Sequence, residues 1–87
     1  MSKPYEQLNL MERAFYHLIE AEKHQLKAEA LERMADERAA NPQMAAHMLA
    51  HDEALAFPYR QATGTRNGHQ QRTIMYGIMA LLESSYK

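Results

Sequence analysis

His47 and His51 stand four residues apart, followed directly by Asp52 and Glu53. On a helix that spacing puts two imidazoles on one face, which is how a zinc-binding helix begins. A metalloprotease helix also needs Glu directly after the first His, and Met48 stands there. Glu20 and His24 form another i,i+4 pair. His17 and Glu20 have the spacing of a carboxylate-bundle motif in reversed order. The sequence therefore implies no metal and no cofactor, and His47 and His51 are the candidates should a metal bind. Nucleophilic chemistry finds as little: Ser84 and Ser85 lie in the C-terminal turn without a Gly-x-Ser-x-Gly elbow, and there is no cysteine. Thiolate metal sites, disulfides and cysteine catalysis are thereby excluded, and no enzyme is expected.

A second group of chemically able residues is basic. From Met1 to Ala56 six Lys/Arg face ten Asp/Glu, a net of −4, whereas Phe57–Lys87 carries a net of +3 with Glu83 its sole acid. The acid-free stretch holds Tyr59, Arg60, Gln61, Arg66, Asn67, His69, Gln70, Gln71 and Arg72, with Gly64 and Asn67-Gly68 as turn signals. Gly64-Thr65-Arg66-Asn67-Gly68 lacks the Lys-Ser/Thr of a phosphate loop. Arg and Tyr anchor protein interfaces, and together with Asn and Gln they also contact phosphates and bases. Phe57, Tyr59, Arg60, Arg66, Asn67 and Arg72 are thus the expected partner-binding set.

The elements that must carry these residues read as helices. The chain has 87 residues, with fourteen alanines, no valine, and isoleucine only at 19, 74 and 78; no window alternates as a half-buried strand does. The pattern predicts one domain of three helices. The first covers about 4–40, capped at Ser2 with Pro4 in the first turn, or by an Asn9/Glu12 box. Its expected buried stripe is Leu8, Met11, Phe15, Leu18, Ile19, Leu26, Ala30 and Met34. Asn41-Pro42 opens a second helix over about 42–57, with Met44, Met48, Leu49 and Leu55 inward and Pro58 as its stop. A basic loop at about 58–67 leads to a third helix at about 68–85, where Ile74 to Leu82 wrap more than one face.

A first helix of that length, about 55 Å at 1.5 Å per residue, overshoots a compact domain whose radius of gyration would be near ~12 Å. Two shorter helices lying back along it make an elongated hairpin, one layer short of a closed core. Homodimerisation would complete it. No stretch reaches the roughly 18–20 apolar residues of a membrane span, and the N-terminus lacks a secretory apolar core, so the expectation is a cytoplasmic protein with no membrane association. The expected function is a small non-enzymatic regulator or inhibitor that binds another protein through the basic loop. The alternative is a nucleic-acid-binding dimer with Arg60, Arg66 and Arg72 on phosphates, and the third reading is a His-based metal protein.

Overall fold

Asn9 sets the start of the first long helix. In the computed structural model, which describes residues 3–85, the Glu12 N–H donates to Asn9 Oδ1 at 2.8 Å, and the Asn9 N–H donates to Glu12 Oε1 at 3.0 Å. This capping box opens α1, Leu10–Arg38. Pro4 instead precedes a single 3₁₀ turn, Tyr5–Gln7; Ser2 lies outside the described residues. Asn41 caps α2, Pro42–His51, by accepting the Met44 N–H at 2.8 Å, with Pro42 in the first turn as expected. No strand occurs among the described residues.

The expected basic loop is helix. α2 ends at His51 rather than near Phe57, and α3 runs without interruption from Glu53 to Ser85. Asp52 makes the break. Its N–H closes α2 on the Met48 carbonyl at 2.9 Å, its own carbonyl accepts Leu55, and its Oδ1 accepts the Ala54 N–H at 2.9 Å. One residue thus caps both helices. Pro58 lies in the second turn of α3 and removes only the N–H that would have met the Ala54 carbonyl. Burial of Leu55 and Ala56 beside it holds the turn in place. Gly64 and Gly68 have no positive φ, so the turn that Asn67-Gly68 suggested has no backbone to build it.

α1 and α3 run antiparallel. His17 meets His69, Gln25 meets Arg66, and Ala35 meets Leu55, so α3 numbers fall as α1 numbers rise. The seam follows a heptad: Ala14, His17, Ala21, His24, Ala28, Leu31 and Ala35 on α1, against Leu55, Tyr59, Ala62, Arg66, His69, Thr73, Tyr76 and Ala80 on α3, all of them buried or half-buried. Small residues at every seventh position let two helices approach closely. α2 folds over the far end of this hairpin, where Ala35, Ala45 and Leu55 form the core with Leu31, Met48 and Leu49 around them. Met44, expected inward, is exposed, and Ala45 takes the buried place.

The large apolar side chains are therefore outside. Met11, Phe15, Leu18, Ile19, Leu26 and Met34, expected as the buried stripe, are exposed, and so are Ile74, Met75, Ile78, Met79, Leu81 and Leu82. The molecule is a single layer of helices measuring 58 × 26 × 16 Å, with a radius of gyration of 17.2 Å. A closed globule of this length would have about 12 Å.

Candidate functional site

Continuity of α3 disperses the residues that the sequence grouped as one basic patch. Phe57 and Arg72 are fifteen residues apart on one helix, some 22 Å along its axis at 1.5 Å per residue. Arg66 occupies the seam: its Nη1 donates to Gln25 Oε1 at 2.8 Å, and its Nε and Nη2 donate to Asn67 Oδ1. Gln25 in turn donates to Glu29 Oε2 at 2.9 Å, so this arginine reaches the acidic helix through an amide. Asn67 is committed to Arg66. Arg60 is exposed and reaches back to the Ala50 carbonyl, while Arg72 lies on the opposite flank of the helix, near His17 and Tyr76.

What the structure does bring together is Phe57, Tyr59 and Arg60, at the elbow between α2 and α3. Phe57 and Arg60, with Ala50, His51, Glu53 and Ala56, line a cleft of about 610 Å³. Tyr59 and Arg60 also line a shallower one of about 370 Å³ with Ala46 and Leu49. His47 and His51 stand side by side with ring centroids 4.6 Å apart, both exposed. No third metal-binding side chain joins them among the described residues.

A larger surface lies at the other end of the hairpin. With the seam residues as heptad positions a and d, Met11, Phe15, Leu18, Ile19 and Leu26 occupy e, b, e, f and f of α1. Ile74, Ile78 and Leu81 occupy b, f and b of α3. In an antiparallel pair the e flanks of both helices share one side, so Met11, Phe15, Leu18, Ile74 and Leu81, at e and b, lie on one apolar face, with Ile19, Leu26 and Ile78, at f, along its outer edges. Phe15 is 56% exposed, Ile78 53% and Leu81 66%.

Within the seam sits a polar cluster that periodicity could not assemble. His17, only 4% exposed, lies with Nδ1 2.8 Å from His69 Nδ1 and Nε2 2.8 Å from the Tyr5 hydroxyl. One imidazole of the histidine pair must donate and the other accept. Tyr76 stacks on His17 at 5.7 Å, and His24 stacks on His69 at 5.8 Å. The Arg13 guanidinium lies over the Tyr5 ring at 4.9 Å and the Tyr76 ring at 5.8 Å. Burial, then the neighbouring His69 and Arg72, hold His17 below the ordinary histidine range. The Lys23 ammonium, which donates to Glu20 Oε2 at 3.0 Å, holds that carboxyl below its ordinary value. The sequence flagged Glu20 with His24 by spacing; His69, fifty-two residues from His17, carried no local signal.

Compared with protein-family models, curated proteins and solved structures, the chain matches none.

Proposed function

We propose that this chain is a non-enzymatic interaction protein that acts as a homodimer, two helical layers closing on their apolar faces, and binds another protein through the α2–α3 elbow. The observation that carries the reading is the apolar face itself. Five large side chains on one side of a 16 Å layer, with three more along its outer edges, lack a second layer, and helices bury such stripes against something. The occupant we assign is a second copy. A 58 × 26 Å face has room for the ~800 Å² per partner of a standard interface with area to spare.

The dimer leaves the two elbow clefts, one lined by Phe57 and Arg60 and the other by Tyr59 and Arg60, for a further protein, whose matching chemistry is an apolar side chain beside a carboxylate. Nucleic acid is the weaker alternative, since Arg66 is spent inside the seam and Arg60 and Arg72 point from different flanks. The test is mass by light scattering for the wild type and a Phe15→Ser/Ile78→Ser variant, with helix content followed by circular dichroism. The expected result is twice 10.1 kDa for the wild type and 10.1 kDa for an equally helical variant. A wild type that stays at 10.1 kDa at high concentration, or a variant of unchanged mass, would overturn the proposal.

A further inference from the structure

We propose that Glu20, His24 and His69 form a three-ligand site for a divalent transition cation of the zinc type, clasping α1 to α3, with His17 as the positioning residue. The inference is independent of the docking face. One donor atom from each of the three residues lies within 4.8 Å of the other two. Two imidazoles and one carboxylate are a donor set that zinc, cobalt and nickel accept, with a fourth position left to water. A tetrahedral site on ~2.1 Å bonds has an edge of roughly 3.3 Å, so small side-chain rotations close it. All three residues are half-buried.

The ligands come from both helices. Glu20 and His24 share a face of α1 at i,i+4, and His69 faces them from α3 across the seam. A pair on one helix is common on solvated surfaces; a third ligand held in place by the fold is what makes a site. The Glu20 carboxylate gives Oε2 to Lys23 and keeps Oε1 to offer a cation.

The second observation is what holds His69. Its Nδ1 is engaged by His17 Nδ1 at 2.8 Å, which leaves Nε2 as its metal-binding nitrogen. In that state His69 Nδ1–H donates to His17 Nδ1, and His17 Nε2–H donates to the Tyr5 oxygen at 2.8 Å. Both ring protons have an acceptor. Metal-ligating histidines have their second nitrogen held in this manner, which fixes tautomer and ring orientation. His47 and His51 have no such support.

Cobalt(II) titration of the metal-stripped full chain, read by ligand-field absorption and by calorimetry, decides the matter, with zinc competition as the second arm. The expected result is saturation at one cobalt per chain and displacement by zinc. His24→Gln and His69→Gln should each weaken binding more than tenfold, and His17→Gln should weaken it by about tenfold through loss of ligand orientation. His47→Gln/His51→Gln should bind as the wild type does. Should His69→Gln lose its helical circular dichroism signal, Glu20→Gln at a half-exposed position takes its place with the same expectation. Absence of saturable binding, unchanged affinity in both His69→Gln and Glu20→Gln, or loss of binding in the His47/His51 variant would overturn the proposal.

Discussion

Gly64 and Gly68 decide between a turn and a helix, and replacing them with alanine reads the answer as a sign. Both lie inside α3, neither has a positive φ, and a Cβ built on either meets no atom within 4 Å. Alanine in a helix interior is favoured over glycine by about 0.8–1 kcal/mol. It also reduces the freedom of the unfolded chain, a contribution already contained in that figure. The double variant should therefore gain about 2 kcal/mol. For a domain of this size each kcal/mol moves Tm by roughly 4–8 °C, so the melting temperature should rise by about 10 °C. Thermal and urea unfolding followed at the helical circular dichroism band provide the assay, at fixed protein concentration because an oligomer's Tm depends on it. Were residues 64–68 a turn with glycine in the left-handed region, the same substitutions would cost stability. A lowered Tm, or none of the gain, would refute the continuous α3.

Three further outcomes follow from named contacts. In metal-free buffer, stability should be complete above about pH 6.5 and fall as the pH drops below it, because unfolded His17 takes up a proton near its ordinary 6.5 while the buried native ring resists; urea midpoints at several pH values check this, and a flat profile in the wild type would count against the buried His17–His69 pair. Leu55→Ala should cost about 2–5 kcal/mol, since Leu55 is 1% exposed against Ala35 and Ala45, and a urea titration measures it. Asp52→Ala should cost about 1 kcal/mol through loss of the Oδ1 cap on Ala54, with accelerated hydrogen exchange in the first turn of α3 as the local readout.

The helix class and the start of α2 were legible because capping signals are local: Asn41 with Pro42 behaves as its spacing says, and of the two starts open for α1 the Asn9/Glu12 box is the one formed. The single-layer shape was legible from length alone. The interior was not, because hydrophobicity and burial part company in this chain. Ala14, Ala21, Ala28 and Ala35 repeat every seven residues and define the seam, yet beside Phe15 and Ile19 they look like filler. Close approach of two helices selects small side chains, and that preference placed the large ones outside. Pro58, Gly64 and Gly68 misread as punctuation for a related reason. One missing N–H and two weak helix formers are local costs, and the α1–α3 seam on either side of them outweighs both. The histidine cluster required contacts across fifty-two residues, which no spacing rule in one segment can supply.

Small-angle X-ray scattering over a concentration series tests in one experiment whether a second copy covers the apolar face of this layer. A face covered by a second copy gives a forward-scattering mass of twice 10.1 kDa, with the particle thickened from 16 Å by the ~10 Å that separates packed helical layers. A particle of 10.1 kDa with a radius of gyration near 17.2 Å at every concentration would contradict it.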